Sequence, residues 1–189
     1  MTVPLIILDR DGVINHDSEN YIKSPEEFIL IEGSVAAIAE LNRAGFCVVV
    51  ATNQSGIARG YYDVAMLERI HAKLHHELAK VGGKIADIFF CPHHPDERCA
   101  CRKPKRGLFN KIHEKYHCQF SDTFFIGDTF SDILVARAVG CRPILVLTGK
   151  GQKTVANYSK ETASVPQFKD LSAAVQFILS SRLLKGPAL

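Results

Sequence analysis

Five apolar runs rich in branched and aromatic residues recur along the chain: PLIILDRDG, FCVVVATNQ, IADIFFCP, TFFIGDT and PILVLTGKG. Each stops abruptly at polar or glycine-containing sequence. Continuous apolar runs of this length are strands buried on both faces, and a sheet built from them needs covering layers on both sides. Helical patterns lie between the runs. SVAAIAELNRAG closes with Gly45 at a C-terminal cap position, and Asp63 is placed to cap a longer helix with Val64, Leu67, Ile70, Leu74, Leu78 and Val81 along one side. Further helices are expected over 108–116, 131–139 and 171–183. The alternation predicts a three-layer α/β/α sandwich around a mostly parallel, Rossmann-like sheet. At 189 residues the chain suffices for one domain, 1–189, with a substantial core. The polar stretch 152–169 carries no chemical signal, and SSRLLKGPAL reads as a helix end running into a tail.

Charge narrows the partners. The net charge is +3, and Lys and Arg are dispersed along the chain, so neither nucleic acid nor a membrane surface is called for. No stretch approaches the roughly 20 consecutive apolar residues of a membrane span. The opening MTVPLIILDRDG lacks both a basic flank before its apolar residues and a small-residue cleavage site after them. A cytoplasmic protein is expected, and with no exposed heptad or adhesive strand edge in view, a monomer.

In a parallel sheet, ligands gather outside the carboxyl ends of the strands, near the switch in strand order. The chemically capable residues stand at such ends: Asp9 and Asp11 in LDRDG, Thr52 and Asn53 in VVVATNQ, Asp128 and Asp132 in GDTFSD. Converging carboxylates repel one another unless a cation lies among them, and oxygen-only ligands favour Mg²⁺.

A second group is softer. FFCPHHPDERCACRKPKRG presents Cys91, His93, Cys99 and Cys101 within one loop, about 91–103. Three thiolates and an imidazole form a tetrahedral Zn²⁺ set with no open position, which makes the metal structural. His93 is preferred over His94, because neighbouring imidazoles in so tight a turn do not easily share one tetrahedral ion. In a reducing compartment the other cysteines, Cys47, Cys118 and Cys141, are expected to be small buried hydrophobes and not disulfide partners. Directly after Cys101 come Arg102 and Lys103, so a metal-frozen loop would hold two cations in place.

These motifs together resemble the haloacid dehalogenase superfamily of phosphohydrolases. D-x-D-G at the end of the first strand, Thr52 ending the next, Lys103 in CRKP and the acidic pair of FFIGDTFSD occur in the superfamily's order. The resemblance implies that Asp9 attacks phosphorus to form an aspartyl phosphate, and that Asp11 protonates the leaving alkoxide and then activates water. It implies Mg²⁺ held by Asp9, Asp128 and the backbone carbonyl of Asp11, with Thr52 and Lys103 holding the transferring oxygens. Asp132 would orient Lys103 or the metal's waters. Neither interval in which such enzymes carry a cap domain has room for one here, so a capless form is expected.

Within the superfamily, LDRDGVIN, TNQSGIARG and the cysteine loop are similar to the phosphatases that release the 7-phosphate of a heptose bisphosphate, a step toward ADP-activated heptose for lipopolysaccharide. That likeness implies a small phosphorylated sugar as substrate. It would put Asn53, Gln54 and Ser55 on the sugar, Asp17, Ser18, Glu19 and Asn20 at its border, and Arg102 on the distal phosphate. Arg59 is a further candidate, or else a helix-entry salt bridge. Two departures stand out: the segment between His93 and Cys99 is short, and Thr129 occupies a position where a Lys often follows the metal-binding Asp. The short segment also occurs in histidinol-phosphate phosphatases, whereas TNQSGIARG is more like the heptose enzymes. A polynucleotide 3'-phosphatase is disfavoured by the lack of a basic groove-lining run. A zinc-stabilised nucleic-acid-binding module using CRKPKRG would have no need of Asp9.

Overall fold

The computed structural model describes residues 4–184. Six strands form one parallel sheet: β1 (Leu5–Leu8), β2 (Cys47–Asn53), β3 (Asp87–Cys91), β4 (Phe124–Gly127), β5 (Arg142–Val146) and β6 (Gln167–Phe168). Their order is β3-β2-β1-β4-β5-β6. The chain winds outward in one direction from β1 to β3, then returns beside β1 and winds the other way. The switch therefore falls between β1 and β4, where Ile7 pairs with Phe125 and Leu8 with Ile126.

Among the described residues seven α-helices connect or follow the strands: α1 (Ser34–Arg43), α2 (Val64–Lys80), α3 (Gly107–Tyr116), α4 (Phe130–Val139), α5 (Gly151–Asn157), α6 (Ser159–Thr162) and α7 (Leu171–Leu184). The two-residue period of the strands divides the core between them. Ile6, Leu8, Val48, Val50, Phe124 and Ile126 pack with Ile38 of α1, Ile70 and Leu74 of α2, and Val175 of α7. Leu5, Ile7, Val49, Ala51 and Phe125 face the opposite way, onto Phe109 and Ile112 of α3 and Val135 of α4. Leu145 joins that side against Ile133 and Val165. The expected three-layer sandwich is observed, and every central strand is buried on both faces.

Asp63 caps α2 as expected, accepting a hydrogen bond from Met66 N at 2.7 Å. The apolar side of α2 is shorter than the sequence periodicity suggests. Leu67, Ile70, Leu74 and Leu78 are fully buried, while Val64, its first residue, and Val81, at its C-cap, are 42% and 38% exposed. The polar stretch after Gln152 is structured: it forms α5, α6 and the edge strand β6, whose two residues are too few to leave a pattern in sequence. The end of the C-terminal tail, 185–189, lies outside the described residues.

Two glycines shape the strand ends at the switch point. A Cβ on Gly12 (φ +82°) would lie 2.2 Å from Asp128 Oδ2, and one on Gly149 (φ +55°) 2.3 Å from the same atom and 2.5 Å from the Gly12 Cα. The loops after β1 and β5 thus close onto the carboxylate that follows β4, tied by a 2.6 Å hydrogen bond from Thr148 Oγ1 to Gly12 O. Gly149→Ala combines left-handed strain with overpacking against a buried group and should cost about 2 kcal/mol or more. A urea unfolding midpoint equal to that of wild type would show that this contact relaxes without cost.

Candidate active site

β1 delivers Asp9 to the switch point, with the Asp9 amide still hydrogen-bonded to Ile126 O at 2.9 Å. One carboxylate oxygen accepts from the Arg10 amide at 2.8 Å. The other lies 2.8 Å from Lys103 Nζ, and the same ammonium stands 2.8 Å from Asp132 Oδ1. Asp132 has its second oxygen on the N-terminus of α4, accepting from Thr129 N at 3.0 Å and Thr129 Oγ1 at 2.6 Å. Both of its oxygens are therefore occupied, and it acts on Lys103.

Asp128, just beyond β4, is almost fully buried. Its Oδ2 accepts from the Lys150 amide at 2.7 Å, whereas Oδ1 has no hydrogen-bond partner. Ligand oxygens of Asp9, Asp128 and Asp132 all lie within 4.8 Å of one another. Burial pushes Asp128 up from 3.8 to about 8, and the neighbouring charges of Asp9 and Asp132 push the same way. Burial likewise raises Asp9 to about 6, with Lys103 pulling it back. Burial alone would lower Lys103; Asp132 and Asp9 outweigh it and hold the ammonium at about 12. A site this short of positive charge, in which Asp128 Oδ1 has no hydrogen-bond partner and, unlike Asp132 Oδ1, no lysine beside it, suits a hard divalent cation such as Mg²⁺.

Asp11 lives in a different environment. The Arg10 guanidinium, itself fully buried, meets its carboxylate from Nε at 3.0 Å and Nη2 at 2.8 and 3.1 Å. Asn15 Nδ2 donates at 2.8 Å and Gln54 Nε2 at 2.9 Å. Burial acts to raise Asp11, but these donors, Arg10 first, win and hold it below the usual range. Behind them, Tyr62 donates to Gln54 Oε1 at 2.6 Å, and Arg10 Nη1 lies 3.2 Å from His71 Nε2. Burial keeps His71 neutral, at about 3, with the charge of Arg10 adding to the effect.

Lys103 is positioned by the cysteine loop. Cys91, Cys99 and Cys101 place their sulfurs 3.2 to 3.6 Å apart, and His93 Nδ1 lies 3.2 Å from Cys101 Sγ and 3.6 Å from Cys91 Sγ. Two thiolates bound to one zinc at about 2.3 Å are about 3.8 Å apart at the tetrahedral angle, close to this spacing. All the cysteines are free thiols. His94 turns the other way, accepting from Asp96 N at 3.3 Å at the start of a short helical turn, Pro95–Glu97. The loop is then fastened to β2, where Asn53 Oδ1 accepts from Lys103 N at 3.0 Å and its Nδ2 donates to Lys103 O at 3.2 Å.

These groups surround a cavity of about 290 Å³. Asp9, Asp11, Thr52, Lys103 and Asp128 form its floor, with Asn53, Gln54, Ser55, Arg102, Asp17, Ser18 and Glu19 around them. Asn20 and Arg59 do not line it. Asn20 belongs to the exposed turn after Ser18, and the Arg59 guanidinium sits 5.8 Å from the ring centroid of Tyr21. Asn53 and Gln54, which the resemblance puts on the sugar, line the cavity, and their amides also bond to Lys103 and Asp11. Arg102 presents a buried Nη1 with no partner. Sequence reasoning missed Lys150, Ser131, Tyr21, Ile22 and Tyr62 in the cavity wall, and Arg10 and His71 behind it. Lys150 could have been found from LTGKG, because that segment ends a strand as LDRDG does.

A HAD-hydrolase-like family model matches residues 100–174. The D-glycero-beta-D-manno-heptose-1,7-bisphosphate 7-phosphatase of Pseudomonas aeruginosa is 50% identical, covering 95% of this chain and 99% of its own length. The enzyme of the same name from Pseudomonas putida is 51% identical over 93% of this chain and 99% of its own. The chain belongs to the heptose bisphosphate phosphatase family. The crystal structure of D,D-heptose 1,7-bisphosphate phosphatase from B. bronchiseptica, complexed with magnesium and phosphate, superposes with a TM-score of 0.91 at 46% identity, covering 94% of this chain and 99% of that one. That structure holds magnesium, and in this chain the acidic group and the thiolate group described above fit magnesium and zinc respectively.

Two outcomes follow for the metals. With its raised pKa, folded Asp128 holds a proton that the unfolded chain has lost, so metal-free protein should lose stability as pH rises from about 4 toward 8. At pH 8 without metal, Asp128→Asn should melt several degrees above wild type, a gain of about 2 kcal/mol, whereas Mg²⁺ should raise the Tm of wild type alone. A wild-type Tm indifferent to Mg²⁺ would remove the metal from this site. For the second metal, Cys99→Ala should lower bound zinc measured by mass spectrometry and speed proteolysis within 91–103; equal zinc content and equal cleavage would make the thiol cluster incidental.

Proposed function

We propose that the chain is a phosphomonoester hydrolase that removes the 7-phosphate of D-glycero-D-manno-heptose 1,7-bisphosphate and leaves the anomeric phosphate in place. The observation that carries this reading is the pair of unlike carboxylates at one strand end, Asp9 beside Lys103 and Asp11 beneath Arg10, within a fold and family shared along nearly the whole chain.

Asp9 is the nucleophile: a bond forms between its oxygen and phosphorus as the bond from phosphorus to the sugar oxygen breaks. Asp11 gives a proton to the departing alkoxide. It then takes one from the water that attacks phosphorus and frees Asp9. The donors around Asp11 keep it ionised at rest, which suits the second step, and a phosphate dianion arriving beside it raises its proton affinity for the first. Thr52 and Lys103 hold the transferring oxygens. Mg²⁺, when held by Asp9, Asp128 and the backbone carbonyl of Asp11, offsets the repulsion between nucleophile and phosphate. Asp132 orients Lys103, and the zinc set of Cys91, His93, Cys99 and Cys101 fixes the loop that carries Arg102 and Lys103.

Arg102 is assigned to the second phosphate, because its unpartnered buried N–H calls for an acceptor. The same feature disfavours histidinol phosphate, whose other end is a cationic amine. Asp17, Ser18, Glu19 and Ser55 border the sugar. The whole chain, 1–189, is assigned to one phosphatase domain. Among the described residues no helix is long and apolar enough to cross a membrane, and a phosphorylated metabolite as substrate supports a cytoplasmic enzyme.

The test is Mg²⁺-dependent phosphate release from heptose 1,7-bisphosphate and histidinol phosphate, compared by kcat/KM. The heptose is expected to be favoured, with product that retains one phosphate. Asp9→Asn should lower kcat about a thousandfold or more with an unchanged fold. Near-normal turnover in that variant would rule out the aspartyl-phosphate route.

A further inference from the structure

Three cations line the cavity: Arg102, Lys103 and Lys150. Lys103 is committed to Asp9 and Asp132, each 2.8 Å away. Lys150 is different. Its backbone is pinned, the amide donating to Asp128 Oδ2 at 2.7 Å, while its side chain is 57% exposed and ends 2.9 Å from Asp17 Oδ2 on the loop after β1. Lys153 and Glu19 repeat this pairing between the same two segments at 3.8 Å. A half-exposed pair of this kind contributes little, so the ammonium can change partners at low cost. Just after β4, position 129 is the neutral Thr129, whose hydroxyl is hydrogen-bonded to Asp132 and Ser131.

We infer that Lys150 is a specificity-determining residue, exchanging Asp17 for the non-reacting phosphate of a doubly phosphorylated sugar. The released Asp17 carboxylate then accepts from a hydroxyl of the same sugar. A phosphate dianion outcompetes a carboxylate for a flexible ammonium, and Arg102, with its unpartnered Nη1, provides the second cation for the same anion. Lys150 thereby ties substrate recognition to the strand end that carries Asp128. The inference rests on the bisphosphate reading above.

Lys150→Met preserves both the aliphatic stem and the amide that holds Asp128. Wild type and variant are compared on heptose 1,7-bisphosphate and on the same sugar carrying only the 7-phosphate. Wild type is expected to favour the bisphosphate, and the variant to lose about 10- to 100-fold in kcat/KM on it, mainly through KM, with less than about a threefold change on the monophosphate. Lys150→Arg should recover part of the preference. Equal losses on both substrates, or no loss on either, would overturn the role of Lys150 while leaving the phosphatase reading intact. A wild type that shows no preference for the bisphosphate would overturn that reading and this inference together.

Discussion

One buried ammonium organises the site. Lys103 Nζ stands 2.8 Å from a carboxylate oxygen of Asp9 and 2.8 Å from one of Asp132, with almost no exposure of its own. Without it, the ends of β1 and β4 would bring like charges together in a medium that screens them poorly. The three groups come from three separate places: a strand end, a loop and the first turn of a helix. Their meeting therefore fixes the relative positions of β1, α4 and the cysteine loop. This explains why the loop is so thoroughly held, by four soft ligands on one side and the Asn53 amide on the other. A loose Lys103 would unbalance the charge of the nucleophile itself.

The second carboxylate is kept apart from the first by its own set of donors. Arg10 lies between them in sequence, yet its guanidinium turns inward to Asp11, against His71 and within 5.7 Å of the Phe28 ring centroid. Two aspartates separated by one residue thus reach opposite states: burial raises Asp9, and charge-assisted hydrogen bonds lower Asp11. Divergent environments for adjacent acids are how one short motif can supply both a nucleophile and a proton carrier. Gln54 couples the pair to the second strand, because the same amide nitrogen reaches Asp11 and Thr52 at 2.9 and 3.0 Å.

The sandwich was legible because its signals are local and strong. Central strands buried on both faces read as unbroken apolar runs, and Asp63 announces α2 directly. The acidic strand ends and the thiol cluster were equally plain, because each is carried by a few residues close together in sequence. Less legible were contacts that depend on tertiary approach. Nothing in LDRDG says that Arg10 will be fully buried, and nothing in HAKLHH marks His71 as its neighbour. Asn53 and Gln54, put on the sugar by the family likeness, do line the cavity, but nothing in TNQ shows that their amides also brace Lys103 and Asp11. Val64 and Val81 kept the helical period but not the burial, since periodicity does not reveal how much of a helix is covered. β6 was invisible for a simpler reason: two residues cannot show an alternation.

The distribution of charge explains why a metal and a doubly phosphorylated substrate can share so small a space. Asp9 and Asp132 have Lys103, Asp11 has Arg10, and Asp17 has Lys150. Among the described residues, Asp128 is the buried carboxylate without a cation within ion-pair distance, and its free Oδ1 marks where positive charge is still owed. Arg102 is the converse, a cation in the cavity wall with an unpartnered N–H. A divalent cation at Asp128 and an anion at Arg102 would satisfy both at once. Binding is favoured because each ligand completes a pairing that the fold leaves open, and the Gly12 and Gly149 backbones, packed against Asp128 with no room for a side chain, prevent the carboxylate from turning away to find another partner.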